Sequence, residues 1–209
     1  GKNALLINTD GNYNVAIGSS ALDSNIGGDQ NTAVGHASLQ ANSTGGQNTA
    51  VGLAALYVNT TGSYNSAVGL NALYKNTTGN NNTSVGYESM LTNTTGDSNT
   101  AIGDDAMYSN STGNKNTALG RGALYSNTTS DNSVAIGYQA LYTNTTGDRN
   151  IAIGTQAYDG ADTENDNLAI GYDALGGAIA GGEFNVAIGN YSLDALTSGD
   201  KNTGVGYNA

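Results

Sequence analysis

Small and aliphatic residues recur along this 209-residue chain in a fixed register. A Val, Ile or Leu, most often after Ala, precedes a glycine every 17 residues, with one spacing of 18 between Gly171 and Gly189. The glycines that close this phrase are Gly18, Gly35, Gly52, Gly69, Gly86, Gly103, Gly120, Gly137, Gly154, Gly171, Gly189 and Gly206. Because the register holds throughout, we predict one repeat domain over residues 1–209 rather than two domains.

The consensus unit, G-x-x-A-L-Y-x-N-T-T-G-x-x-N-T-A-V, predicts an all-β solenoid of twelve coils. A unit of 17 residues is too short for two-helix repeats, which need about 33. Glycines at its first and eleventh positions also disfavour a helix. Two short segments, Thr-Ala-Val and Ala-Leu-Tyr, alternate with turn residues such as Asn-Thr-Thr-Gly. We therefore expect two strands and two turns per coil, each coil advancing about 4.8 Å along a β-roll.

Equal positions of successive coils are expected to stack into ladders. An aliphatic ladder and a leucine-rich ladder are expected to face each other inside the roll. They are Ile17, Val34, Val51, Val68, Val85, Ile102, Leu119, Ile136, Ile153, Ile170, Ile188 and Val205, and Leu5, Leu22, Leu39, Leu56, Leu73, Met90, Met107, Leu124, Leu141, Tyr158, Leu175 and Leu193. A column of asparagines from Asn14 to Asn202 is expected to hydrogen-bond along the rod.

The alanines beside the aliphatic ladder indicate that the strands also pack against something on their other face. In a strand, the neighbour of an inward valine points to the opposite face. This chain keeps Ala there, from Ala16 to Ala187, where a solvated face would tolerate charged residues. Strands that are apolar on both faces must be covered on both faces, so we expect rolls packed side by side as an oligomer. The alternative is that alanine is simply compact beneath the neighbouring loops.

A run at residues 132–137, N-S-V-A-I-G, resembles the recurring phrase of trimeric autotransporter adhesin heads. The longer unit resembles the repeats of bacterial and phage fibre proteins, many of which carry an endosialidase-type chaperone domain. The resemblance covers the whole chain and implies a left-handed parallel β-roll assembled as a homotrimer. It also implies an extracellular location, on a bacterial surface or a virion fibre. The unit is longer than the usual adhesin coil, and we expect the chain to be a fragment of a longer fibre.

Composition and charge exclude several kinds of function. The chain has no Cys, which excludes a disulfide framework and thiolate chemistry. Its net charge of −11 argues against nucleic-acid or anionic-membrane partners. No apolar run is long enough for a membrane span, so we expect no membrane insertion by this segment. With His36 as the only histidine and no catalytic constellation, we predict neither an enzyme nor a cofactor.

Two groups of residues are candidate sites. The less regular part of the chain, residues 154–209, replaces Asn-Thr-Thr-Gly with an acidic run and then has a glycine-rich run at 176–182. The acids are either Ca²⁺ ligands or a solvated loop: Asp159, Asp162, Glu164 and Asp166. In the regular part, residues 1–153, a tyrosine ladder either contacts a glycan or protein receptor or packs between protomers: Tyr57, Tyr74, Tyr108, Tyr125 and Tyr142.

These patterns favour a structural segment of a trimeric fibre or adhesin that forms a rigid rod and supports or presents receptor binding. One alternative is an ice-binding β-solenoid that uses the stacked threonines Thr60, Thr77, Thr94, Thr128 and Thr145. Another is a carbohydrate-active solenoid, which would need clustered acids. The Asn-Thr-Thr sequons at Asn59, Asn76, Asn93, Asn127 and Asn144 are interpreted as turn chemistry rather than glycosylation sites.

Overall fold

The computed structural model describes residues 1–177 and 181–209, which fold as a parallel β-solenoid. Each coil contributes one three-residue strand to a 12-stranded sheet, and the strands pair in chain order. They are β1 Val15–Ile17, β2 Thr32–Val34, β3 Thr49–Val51, β4 Ser66–Val68, β5 Thr83–Val85, β6 Thr100–Ile102, β7 Thr117–Leu119, β8 Val134–Ile136, β9 Ile151–Ile153, β10 Leu168–Ile170, β11 Val186–Ile188 and β12 Thr203–Val205. Part of the glycine-rich run, residues 178–180, lies outside the described residues.

The sheet register is constant, so equal positions of the repeat are neighbours throughout. Ala33 pairs with Ala50, and Ile170 pairs with Ile188 across the one 18-residue spacing. The core consists of the central alanine of the strands, the leucine-rich ladder and the alanine that precedes each leucine. At Gly204, which replaces a central alanine, an added Cβ would lie 2.8 Å from Leu193 Cγ. The strand and the Ala-Leu segment therefore face each other across a thin core.

The predicted orientation of the aliphatic ladder is wrong. Val51 and Ile102 point outwards, with 36% and 38% of their surface exposed, whereas Ala50 and Ala101 are fully buried. The leucine-rich ladder lies inside as predicted, from Leu22 through Leu175. Alternation in a strand fixes only that neighbours point to opposite faces, not which face is inside. Because leucines fill the thin core from one side, the facing strand has room only for a small side chain, which is Ala in most strands and Ser84 in β5.

The Ala-Leu-Tyr segment forms no strand in the described residues, so the prediction of two strands per coil is also wrong. Its backbone still bonds between coils: the Leu39 N–H donates to the Ala55 carbonyl at 3.0 Å. Leu39, however, has φ 51°, in the left-handed region, which breaks the pleat. That conformation costs about 1–2 kcal/mol, and full burial of the leucine offsets it by about 1.5–3 kcal/mol.

The predicted asparagine column at the fourteenth position is confirmed as a buried ladder. The Asn48 N–H donates to Asn31 Oδ1 at 3.0 Å, and Asn48 Nδ2 donates to the Gly62 carbonyl at 2.9 Å. In the regular coils these amides therefore join side chain to backbone, rather than one side chain to the next. Each asparagine ties its own coil to both neighbours, which holds the turn in register.

A second buried asparagine column, at the eighth position, was not predicted as a ladder. Asn42 Nδ2 donates to Asn25 Oδ1 at 2.8 Å and to the Gly45 carbonyl at 2.9 Å. The column includes the sequon asparagines, which are fully buried: Asn59, Asn76, Asn93, Asn127 and Asn144. An N-linked glycan needs an exposed acceptor side chain. These asparagines are therefore structural in the folded solenoid.

Candidate functional site

The outward side of the 12-stranded sheet, here called the outer sheet face, carries two rows of side chains. The last residue of every strand is Val, Ile or Leu, half-exposed or exposed. The first residue is Thr or Ser from β2 to β7 and becomes aliphatic from β8 to β11, as Val134, Ile151, Leu168 and Val186. Parallel sheets are normally covered on both faces, and a contiguous exposed apolar patch marks an interaction surface.

The five predicted ligand-contact tyrosines form two stacks on the other side of the coil. Each follows an inward residue of the leucine-rich ladder, which is Met107 before Tyr108 and a leucine before the others, so its side chain points away from the core. The rings of Tyr57 and Tyr74 lie 5.0 Å apart and are inclined by 3°. Those of Tyr108 and Tyr125 are 5.1 Å apart, and those of Tyr125 and Tyr142 are 5.0 Å apart. The tyrosines are half-buried and do not belong to the outer sheet face.

A cavity of about 60 Å³ opens beside the second tyrosine stack. Its lining combines aromatic, acidic, basic and amide side chains around one glycine: Asp105, Arg121, Gly122, Tyr125, Tyr138, Gln139 and Tyr142. Tyr125 and Tyr142 belong to the predicted tyrosine ladder. The signal that could have revealed the cavity is Gly122, the one glycine at the third position of the repeat.

The electrostatics of this cavity are mixed. Burial raises the pKa of Asp105, the negative charge of Glu88 raises it further, and Arg121 lowers it. Burial, followed by the neighbouring Tyr142 and Tyr108, raises the pKa of Tyr125, so its phenol is neutral at pH 7. The cavity thus presents acceptors, donors and uncharged hydroxyl groups within one small space.

The four predicted Ca²⁺ ligands each have a different environment and different partners. Asp166 pairs with Arg149, with Oδ1 2.6 Å from Nε and Oδ2 2.8 Å from Nη2. The Asp162 carboxylate accepts a hydrogen bond from the Thr145 hydroxyl group. Burial and then the charge of Asp173 raise the pKa of Asp159. Within residues 1–177 and 181–209, no three His, Cys, Asp or Glu side chains are placed to hold a metal ion.

Glu164, the fourth of these acids, is a buried anchor for the irregular loop. It stands where most coils have the turn glycine, and Ala161 stands where most have the eighth-position asparagine. Its carboxylate accepts backbone N–H groups of Asp162 at 3.0 Å, Thr163 at 3.1 Å and Gly181 at 2.9 Å. Burial raises the pKa of Glu164, but these hydrogen bonds outweigh it, so the pKa is lowered.

The threonines that suggested ice binding donate hydrogen bonds within the solenoid. The Thr60 hydroxyl donates to the Thr77 carbonyl at 2.9 Å, and the Thr77 hydroxyl donates to the Thr94 carbonyl at 2.9 Å. These hydroxyls therefore bridge adjacent coils rather than form a free array. The threonines that the fold presents on a flat surface are those of the outer sheet face, such as Thr49.

His36 is exposed and lies in the turn after Gly35. The part of the chain that the structure describes contains no helix long and apolar enough to cross a membrane. No family model, no curated protein and no solved structure matches this chain.

Proposed function

We propose that this chain is a structural segment of a trimeric fibre or adhesin. Three left-handed rolls pack side by side, with their outer sheet faces turned towards a common axis. The resulting rod supports or presents the binding of a cell-surface glycan or protein receptor, on a bacterial surface or a virion fibre. The observation that carries this proposal is the outward aliphatic row on all twelve strands.

Energetics support burial of the outer sheet face. Covering one exposed Val, Leu or Ile side chain contributes up to about 1.5–3 kcal/mol. From β8 to β11 both outward rows are aliphatic, which places eight such side chains on four adjacent strands. A thin roll also lacks the core of a compact domain of its length, and association supplies the missing buried surface. Closed symmetry limits the assembly to a defined number of copies.

The ladders account for the mechanical role. Adjacent coils are joined by the sheet and by the Leu39-type backbone bonds, and in the regular coils also by two asparagine columns. The coils therefore cannot rotate independently, and the solenoid behaves as a stiff spacer. The net charge of −11 per chain keeps such rods apart in solution. Three-fold repetition would also strengthen a weak receptor contact through multivalency.

An ice-binding solenoid is the second candidate, because the outer sheet face of β2 to β7 presents a threonine or serine row beside a valine-rich row on a regular surface. The aliphatic residues of β8 to β11 favour the trimer instead, since they remove the hydroxyl row from a third of the sheet. Thermal hysteresis of the purified chain distinguishes the two: a measurable freezing-point gap supports ice binding, and its absence removes that candidate.

Light scattering coupled to size exclusion tests the trimer. We expect three times the chain mass for the wild type and the single-chain mass for Ile153→Lys, because the new charge lies in the centre of the aliphatic rows. The matched control is Thr95→Lys, an exposed turn position that should leave the trimer intact. Circular dichroism should show that all three are folded. A monomeric wild type would contradict the proposal.

A further inference from the structure

We propose that the cavity beside Gly122 binds one neutral saccharide ring. This inference deepens the proposed function, because it names the class of receptor that the rod contacts, and it rests on that function for its role at a surface. All seven residues that line the cavity belong to this one chain.

The cavity exists because one coil lacks a side chain. The other coils carry a side chain at the third position, for example Asp105, Gln139 and Gln156. At Gly122, an added Cβ would lie 3.3 Å and 3.5 Å from two ring carbons of Tyr142 and 3.6 Å from Gln139 Cγ. The missing side chain leaves a gap in the column, and the edge of the Tyr142 ring lies beside it. The array has this gap in a single coil.

The lining matches the two kinds of surface on a sugar ring. Tyr125, Tyr138 and Tyr142 offer ring carbons for the C–H groups of the sugar and hydroxyls for its polar edge. Asp105 can accept hydrogen bonds from adjacent hydroxyls, and Arg121 can donate to them. Ligand sites in general combine aromatic walls with a few convergent polar groups that fix orientation.

Charge selects a neutral sugar over an acidic one. The charges of Arg121 and Asp105 oppose each other, and Glu88 adds a second carboxylate close to Asp105. The chain as a whole carries −11, so the surrounding field repels anions. Neither ion pair found in the described residues involves Arg121, so its guanidinium donors are available to a ligand.

The cavity borders the outer sheet face without being part of it. No lining residue belongs to a strand, although Arg121 and Tyr138 follow the last residues of β7 and β8 by two positions. We expect one such site to bind a single ring weakly, with a Kd on the order of 1 mM. Three sites on one rod would strengthen attachment to a surface that displays many copies of the sugar.

Saturation-transfer NMR on the full chain tests the inference. The probes are the methyl glycosides of glucose, galactose, mannose and N-acetylglucosamine, with N-acetylneuraminic acid as the acidic comparison. We expect transfer to at least one neutral glycoside and a reduction of about tenfold or more in Gly122→Gln. Gln fits the backbone there, because Gln139 and Gln156 adopt φ 55° and 56° at the same position. Ala54→Gln makes the same addition at the third position of another coil and should leave the signal unchanged.

Arg121→Ala is a second variant, exposed and outside the core, that should weaken transfer without affecting folding. The inference is overturned by no transfer to any neutral glycoside, by transfer to N-acetylneuraminic acid alone, or by equal transfer in folded Gly122→Gln. Light scattering on the same samples separates this result from the proposed function. A trimer that shows no saturation transfer to a sugar would contradict only the saccharide site. A monomer that does show saturation transfer would contradict only the proposed trimer.

Discussion

At the scale of single residues, the glycine that opens each coil is fixed by its own backbone and by the next coil. Gly69 has φ 138°, a conformation that side chains rarely adopt. A Cβ there would lie 2.3 Å from the Gly86 carbonyl oxygen, which belongs to the backbone and cannot move aside. The recurrence of this glycine therefore has a steric cause. The left-handed leucines are the opposite case, because burial of the side chain offsets a strained backbone.

Replacing Gly69 by alanine should therefore cost about 2 kcal/mol or more, from backbone strain together with the clash. Gly27 is the matched control, since an added Cβ there meets nothing within 4 Å and its φ is not positive. Gly27→Ala should be neutral or slightly stabilising, by at most about 1 kcal/mol. Urea unfolding at one fixed protein concentration measures both. Equal midpoints for the two variants would contradict the steric explanation.

The charge of Glu164 predicts that the stability of the folded chain depends on pH. Despite burial, the folded-state pKa of Glu164 is lowered from the ordinary value of 4.5 by backbone N–H groups that donate to the carboxylate. Its stabilisation is therefore complete above that value and is lost as the pH falls through the folded-state pKa. We expect Glu164→Gln to have a lower melting temperature than the wild type at pH 7, and the difference to shrink below pH 4. Glu183→Gln is the control for loss of one carboxylate. A difference that stays constant with pH would refute the role of the Glu164 charge.

At the scale of the single coil, two departures from the consensus compensate each other. In the coil that begins at Gly120, Ser130 replaces the turn glycine and Ser133 replaces the fourteenth-position asparagine. At the equivalent Gly147, an added Cβ would lie 2.2 Å from the Glu164 carbonyl oxygen and 2.5 Å from Asn144 Oδ1. It would also lie 2.9 Å from Asn150 Nδ2, so a larger eleventh residue crowds the fourteenth-position asparagine as well. The smaller Ser133 relieves this crowding, and its Oγ lies 3.2 Å from Ser130 Oγ.

A double-mutant cycle tests this compensation. Ser133→Asn alone should destabilise the chain, because Ser130 crowds the new amide, whereas Ser130→Gly together with Ser133→Asn should restore the ladder. We expect the double variant to be more stable than the sum of the single effects by about 1 kcal/mol or more. The free energies of unfolding of all four proteins, from urea titration, give the coupling. Simple additivity would show that the two serines are independent.

At the scale of the whole molecule, the constant register makes coils interchangeable units. Each strand pairs only with the strands before and after it, as in other repeat proteins whose stability is a sum over neighbouring units. Equal positions meet at every junction, including the 18-residue coil, whose strands stay in register. The rod can therefore change in length without a change in cross-section.

Deletion of residues 52–68 should leave a folded rod that is shorter by about 4.8 Å, because Val51 would then join Gly69 in the native register. Deletion of residues 52–60 is the control, since it removes half a coil and places unlike positions next to each other. Circular dichroism should show native β structure only for the first variant, and small-angle scattering should show its shorter length. Equal loss of structure in both would contradict the modular description.

Much of this architecture could be predicted from particular residues. The spacing between Gly18 and Gly35 predicted the length of a coil. The repetition of Asn31 as Asn48 predicted the fourteenth-position asparagine ladder, which the structure confirms. The asparagines of Asn-Thr-Thr-Gly were interpreted as turns, yet Asn42 and its equivalents form a second buried ladder. The candidate cavity was missed, because a site formed by the absence of a side chain at Gly122 shows only when the coils around it are stacked.

The sequence by itself determined the period, the number of coils and which residues stack in each ladder, because identical residues at one spacing have only one way to stack. Only the tertiary structure decided which side of the strand is inside. Val51 and Ala50 satisfy strand alternation equally well in either orientation, and the thin core selects the alanine. That selection moves the aliphatic row to the outer sheet face, where it becomes the surface that a partner would cover.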